Sequence, residues 1–162
     1  NDQPYIVHLN AVFEWVCDYE ECFKKYKDSI YTSAAAYTHD TLEDAQQTYN
    51  DVKKETSKEV ADITLAVTDV HAENRMLRFL LTVPKIIRDH RALVLKICDI
   101  GANASYGKGV KNSMYKKYQK EWIEYKREIF ISASRWYSNE LNLVEFDKLI
   151  ARVDEVVEYT PE

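Results

Sequence analysis

From Tyr5 to Val83 the chain contains neither glycine nor proline. Glycine weakens a helix through backbone entropy, and proline through its missing N–H and its clash with the preceding turn. A stretch free of both predicts long helices with few turns. The full 162 residues hold three of each, where average usage would supply roughly eleven glycines and eight prolines. All three glycines, Gly101, Gly107 and Gly109, fall within Cys98–Gly109. That stretch reads as a corner, with Gly101 placed to take the left-handed conformation that closes a helix.

Apolar spacing divides the chain. Ile6, Leu9, Phe13, Val16, Phe23, Ile30, Ala34 and Tyr37 describe one face of a helix of roughly eight turns. Glu20 and Lys27 interrupt it, which argues against a strict coiled-coil seam. Asp40-x-x-Glu43 has the pattern of a capping box and opens a second helix. Leu42, Ala45, Tyr49, Val52, Thr56, Val60, Ile63, Val67, Val70, Asn74, Leu77 and Leu81 advance by threes and fours, with one four-four step at Thr56 to Val60. This predicts a helix about 60 Å long, which Pro84 stops or kinks near Thr82. Residues 86–100 are apolar on more than one face and predict a third helix between two neighbours. A fourth runs from about Val110 to Tyr137, with Tyr115, Tyr118, Trp122, Tyr125, Ile129, Ser132 and Trp136 inward, and a last one covers Leu143 to Val157. The fold class that results is all-α. It is an elongated antiparallel helical bundle of about five helices, three of them long, forming a single domain over residues 1–162.

Hydrophobic residues make up 46% and charged residues 30%, a globular rather than a disordered profile. The net charge of −5 argues against nucleic acid as a bulk electrostatic partner. No apolar run approaches the roughly 20 residues of a membrane span. The opening Asn-Asp-Gln-Pro, without an initiator Met, reads as a mature or trimmed form.

Catalytic patterns are missing. Di-metal helical bundles need Glu-x-x-His pairs on facing helices, and neither that pattern nor His-Glu-x-x-His occurs. His8, His39, His71 and His90 stand singly, so each reads as a surface or satisfied core histidine, and no metal ligand is assigned. Cys98 has no base beside it in sequence, and Asp99 would raise rather than lower its pKa. The glycine stretch carries no phosphate-binding pattern. Lys108, Lys111, Lys116, Lys117, Lys120, Lys126 and Arg127 make the fourth helix basic, and its tyrosines could stack on single-stranded nucleic acid. The aromatic rings hold the inward positions, however, so the lysines read as a solvated face beside which the acidic last helix packs. With no catalytic residue, metal or cofactor assigned, an enzyme is not expected.

The cysteines leave two readings. Cys17 and Cys22 lie about 140° apart round a helix, poorly placed for a mutual bridge, and Cys98 could pair with either. Alternatively, all three are reduced and buried. The sequon at Asn103, a glycosylation candidate, favours a secreted protein with one disulfide drawn from Cys17, Cys22 and Cys98.

Ile100-Gly101-Ala102-Asn103-Ala104-Ser105, followed by a helix bearing Tyr115 and Tyr118, is similar to a stretch of the tsetse EP protein and its insect relatives. Glu21-Cys22-Phe23 with Tyr26 resembles their early Cys-Phe-x-x-Tyr region. Tyr159-Thr160-Pro161-Glu162 resembles a chain cut just before a Glu-Pro repeat tail. The resemblance implies a secreted helical gut protein connected with immunity or parasite encounter, without catalytic residues. The expectation is therefore a non-enzymatic, secreted or surface-displayed helical glycoprotein that binds or shields, with a protein or glycan as its partner. The alternative is an apolipophorin-like carrier of lipid or a small hydrophobic ligand, because amphipathic helices in a chain of this size match bundles that open on lipid.

Overall fold

The computed structural model describes residues 5–110 and 112–159; the opening Asn-Asp-Gln-Pro, Lys111 and the end from Thr160 lie outside them. Among the described residues regular structure is helical, apart from a single antiparallel bridge between Phe23 and Leu141. The all-α class read from the scarcity of glycine and proline is the one the chain adopts. No helix of the described residues is long and apolar enough to cross a membrane.

The first predicted rod is two helices, α1 (Tyr5–Asp18) and α2 (Tyr26–Thr38), with a 3₁₀ turn at Glu20–Cys22 between them. That turn resets the register. α2 buries Asp28, Ser29, Thr32, Ala35 and Ala36, while Ile30 and Tyr37 of the predicted stripe face outward. The predicted helix over 42–81 is likewise divided, into α3 (Thr41–Asp44), α4 (Tyr49–Glu55), α5 (Lys58–Val67) and α6 (Arg75–Ile87). Each of the last three starts on a side chain that accepts a backbone N–H: Thr48 from Asp51, Ser57 from Val60 and Asn74 from Leu77. The four-four step at Thr56 to Val60 therefore marks a helix boundary. α6 continues through Pro84 to Ile87.

The chain then runs through α7 (His90–Val110), α8 (Asn112–Glu121), a π-helical turn (Trp122–Lys126), α9 (Arg127–Ser134) and α10 (Leu143–Val157). α7 is central and packs against α1, α2, α5, α6, α8 and α10. Leu93, Val94, Leu95, Ile97 and Cys98 are fully buried, which accounts for the apolar character of more than one of its faces.

The glycines do not make a corner, and none has positive φ. Gly101 lies inside α7, where a Cβ would stand 2.5 Å from ring carbons of Trp15 on α1. Its missing side chain lets α1 and α7 touch. A Cβ on Gly107 would come 2.7 Å from the backbone N of Tyr115, so glycine there lets α8 fold back on the end of α7.

The π turn shifts the aromatic stripe. Trp122 and Phe130 are fully buried, whereas Tyr125 and Trp136, predicted inward, are exposed. The extra residue in a π turn rotates everything after it relative to a continuous α-helix. α10 anchors the turn: Asp154 accepts from Trp122 Nε1 at 2.8 Å and from Arg127 Nε and Nη2 at 2.9 and 2.8 Å. Arg135 meets Asp147 at 2.8 Å, so the basic fourth segment and the acidic last helix do pack together.

Candidate metal centre

Four side chains converge where α1, the α2–α3 junction and α7 meet. His8 lies on α1, His39 and Asp40 bridge α2 to α3, and Asp99 comes from the middle of α7. His8 Nε2 is 3.3 Å from His39 Nε2 and 3.4 Å from Asp99 Oδ1. Asp40 Oδ2 is 3.1 Å from His39 Nε2 and 3.6 Å from His8 Nε2. His39 Nε2 is also 3.6 Å from Asp99 Oδ1. His39 and Asp99 are buried, His8 and Asp40 half-buried.

The local sequence builds this arrangement. Gly101 brings α1 against α7, and with α1 comes His8. Asp40 has the place of an N-cap for α3 yet makes no capping hydrogen bond; its carboxylate turns to the histidines. Glu43, which would complete a capping box, accepts from the backbone N–H of Asp69 at 2.6 Å instead. Asp99 is held on both oxygens: Oδ1 accepts from Asn103 Nδ2 at 2.7 Å and Oδ2 faces Lys96 Nζ at 3.1 Å.

Charges in the cluster stabilise one another. Burial pulls the imidazole pKa values of His8 and His39 down, but their bonds to Asp40 and Asp99 outweigh it and raise them to about 9 and about 10. Burial pushes Asp40 up, and the contacts with His39 and His8 outweigh it and bring the carboxyl down to about 2. Asp99 is held well below the usual carboxylate range, with Lys96 and both imidazoles overcoming its burial.

His8, His39 and Asp99 place ligand atoms within 4.8 Å of one another and fit a divalent cation, with Asp40 against the two histidines. His39 Nδ1 lies 2.8 Å from the carbonyl O of Ala36, which can only accept, so Nδ1 carries the proton and the neutral ring presents a lone pair at Nε2. That lone pair faces a second imidazole nitrogen and two carboxylate oxygens, an arrangement relieved by positive charge at its centre. Without an ion, protons on the histidines meet that demand, hence their high pKa values. Ligand atoms held about 2.1 Å from one ion stand about 3.0–3.4 Å apart, close to the 3.1–3.6 Å separations here. Two imidazoles with the Asp99 carboxylate form a mixed donor set suited to a first-row transition ion, and the bond to Ala36 is the outer-shell support such a ligand uses.

A cavity of about 660 Å³ opens beside the cluster, with Lys96, the ion-pair partner of Asp99, in its wall. Arg75 and Arg78 from α6, Lys117 and Lys120 from α8, and Lys126 from the π turn bring its cationic groups to six, against the carboxylates of Asp69, Glu73 and Glu121. In a chain of net charge −5 this is a marked local excess of positive charge. Phe79 and Tyr125 form an aromatic pair in the same wall, their centroids 5.7 Å apart.

The sequence reading left the histidines single and assigned no metal. The fold corrects this, because His8 and His39, 31 residues apart, meet at the cluster. His90 instead pairs with Asp28 at 2.8 Å, away from the cluster. Two signals were available: the adjacent His39-Asp40, and the charges of Lys96 and Asp99 inside the most thoroughly buried helix. Cys17 is exposed, Cys22 and Cys98 are buried, and all three are free thiols; burial pushes Cys22 up to about 12 and Cys98 well above the ordinary thiol range. Asn103 lies inside α7, its amide nitrogen donating to Asp99 Oδ1 and, at 3.0 Å, to the Asp99 carbonyl.

No protein-family model matches the chain, and no curated protein matches it in sequence. Among solved structures it is similar to a metazoan orthologue of SpoT, described as hydrolysing ppGpp and playing a role in starvation responses. The two share 20% sequence identity with a TM-score of 0.66, over 97% of this chain and 82% of that one. At that identity the likeness is one of fold. It overturns the resemblance to the tsetse EP protein and related insect gut proteins, because it spans nearly the whole chain. The residues that carried that resemblance also have another purpose: Gly101 seats Trp15 and Asn103 holds Asp99. The glycoprotein of midgut immunity or parasite encounter is thereby corrected. The apolipophorin-like carrier is not supported either, since the fold is similar to that of a protein described as hydrolysing ppGpp. The expectation of a non-enzymatic protein is corrected as well, by a convergent His/Asp cluster in a fold similar to that of a protein described as hydrolysing ppGpp.

Proposed function

We propose that the protein is a metal-dependent phosphohydrolase acting on a polyphosphorylated nucleotide, with ppGpp as the first substrate to test. One observation carries this reading: Lys96, paired at 3.1 Å with Asp99 of the His8, His39, Asp40 and Asp99 cluster, also lines the cationic cavity. The fold supports it, being similar to that of a protein described as hydrolysing ppGpp. A divalent cation held by His8, His39 and Asp99, with Asp40 beside them, would supply positive charge to a phosphoryl oxygen and acidify a water molecule.

The chain's own residues supply the rest. In hydrolysis the oxygen of water joins phosphorus, the bond from phosphorus to the leaving oxygen breaks, and that oxygen takes a proton. Lys96 keeps its ammonium charged, with Asp99 and Asp69 outweighing its burial. It therefore faces the negative charge that builds on the phosphoryl group as a fixed counter-charge. Glu43 is an exposed residue of α3 whose carboxyl is pushed up by partial burial and by the neighbouring Asp69 and Asp40, against the effect of the Asp69 N–H bond. Its bond to Asp69, which lines the cavity, makes this carboxyl the candidate for proton transfer. Phe79 and Tyr125 offer a flat wall on which a base can stack.

The test is to strip the protein with a chelator, reload it with one divalent ion at a time, and measure phosphate or pyrophosphate release from ppGpp. Turnover is expected in the loaded protein, with Asp99→Asn and His39→Ala each slower by roughly 100-fold or more. Loaded, folded wild-type protein that leaves ppGpp intact would remove this reading.

A further inference from the structure

Three observations outside the His/Asp cluster meet at one place in the cavity. The first is the π turn. Without it Lys126 would continue the α8 helix; with it, the lysine side chain lies only 13% exposed in the cavity wall, while the next residue, Arg127, reaches the opposite way to Asp154. π turns inside longer helices are uncommon and cluster at functional sites. This one is anchored by Trp122 and Arg127, which both donate to Asp154.

The second observation is how Glu121 is held. Its carboxylate, 16% exposed, accepts from Lys126 Nζ at 2.9 Å on one oxygen and from Arg75 Nη2 on the other. Two cations from separate elements, α6 and the π turn, grip one carboxylate from both sides. A phosphoryl group presents the same pair of oxygens with more charge, so it competes for the same grip. The third is the surplus nearby. Arg78 and Lys117 line the same cavity, and neither has an ion-pair partner among the described residues.

We infer that Lys126 and Arg75 form a second phosphate subsite, distinct from the metal cluster, which binds a non-reacting phosphate or diphosphate group of the substrate, and that Glu121 holds this subsite until the anion displaces it. The substrate class is thereby narrowed to nucleotides carrying two separate phosphate clusters, one for the His/Asp cluster and one for this clamp. Lys96, between the two, is the charge they share. Phosphate groups at both ends explain why the cavity holds so many more cations than a single reacting group needs. The inference rests on the hydrolase reading for its reacting end, but the clamp is testable without turnover.

The experiment uses the full chain, stripped with a chelator so that no metal contributes, and titrates inorganic pyrophosphate by calorimetry. Wild-type protein is expected to bind it, with affinity falling steeply as salt is added. Lys126→Met should weaken binding at least about tenfold, the loss of one charge-assisted contact. Glu121→Gln should tighten it several-fold by removing the competing carboxylate, an effect that misfolding cannot imitate. His39→Ala should still bind. Equal affinity in wild type, Lys126→Met and Glu121→Gln would overturn the clamp, as would binding lost only in His39→Ala. If pyrophosphate binds through Lys126 and ppGpp is nevertheless not hydrolysed, the hydrolase reading fails while the subsite stands. If ppGpp turns over and pyrophosphate binding ignores Lys126 and Glu121, the subsite fails alone.

Discussion

Asn103 Nδ2 and Asp99 Oδ1 are joined at 2.7 Å across one turn of α7. With the Lys96 ammonium on the other oxygen, the amide leaves Asp99 a single orientation, the one that faces His8 and His39. Outer-shell bonds of this kind are typically worth about 10–100-fold in metal affinity. Asn103→Ala should weaken binding of a divalent ion to chelator-stripped protein by that amount. Asn103→Asp should do more harm, because a second carboxylate would repel Asp99. Calorimetric titration of the three proteins decides it, and equal affinities would remove Asn103 from this role.

Metal-free protein should lose stability as the pH rises. His8 and His39 have folded pKa values of about 9 and about 10, above the ordinary 6.5. Their contribution is complete below pH 6.5 and lost as pH climbs through those folded values. Asp40 has the opposite sign: its carboxyl sits at about 2 rather than 3.8, so its contribution is present above 3.8 and lost as pH falls through 2. The melting temperature of the stripped protein should therefore decline between about pH 6.5 and about pH 10. Metal binding needs neutral imidazoles, so it should release protons and tighten over the same window. A stripped protein whose melting temperature stays flat there would show that the two histidines are not held in their charged form.

The fold class could be read from the sequence because helix breakers act locally and their absence is visible. The helix boundaries could not. Thr56 and Asn74 fit an inward stripe by spacing alone, and only the structure shows Ser57 and Asn74 capping new helices. The site was hidden for a related reason. Asp40-x-x-Glu43 satisfies the capping pattern, yet tertiary contacts draw Asp40 to the histidines and Glu43 to Asp69. His8 and His39 meet only because α1 lies against α2 and α7. Lys96 and Asp99 were the better clue, since buried charges are costly unless paired, and charges in the most apolar helix call for partners.

Gly101→Ala tests how far the cluster depends on helix packing. The added methyl would stand 2.5 Å from the Trp15 ring, so α1 must move off α7 or the indole must turn. Overpacking of this kind costs about 1–3 kcal/mol, and moving α1 displaces His8 from Asp99. Thermal melts should show the loss, metal titration should show weaker binding, and Trp15→Leu in the same chain should restore much of both. A single variant as stable as wild type would mean that the interface gives without cost.

Glu43→Gln separates proton transfer from metal binding. Glutamine can still accept the Asp69 N–H through its carbonyl oxygen, so the α3 to Asp69 link survives, and none of the four cluster side chains is altered. What is lost is an exposed carboxyl whose pKa partial burial and the neighbouring Asp69 and Asp40 push up. If Glu43 delivers the proton to the leaving oxygen, kcat on the hydrolysed nucleotide should fall by about 10²–10³, while metal content, read by elemental analysis, stays at the wild-type level. A nucleotide analogue with a more acidic leaving group should recover part of the rate, because its departing oxygen needs the proton less. Rates within about twofold of wild type on both substrates would place proton transfer on another group and leave Glu43 as a tie between α3 and the Asp69 loop.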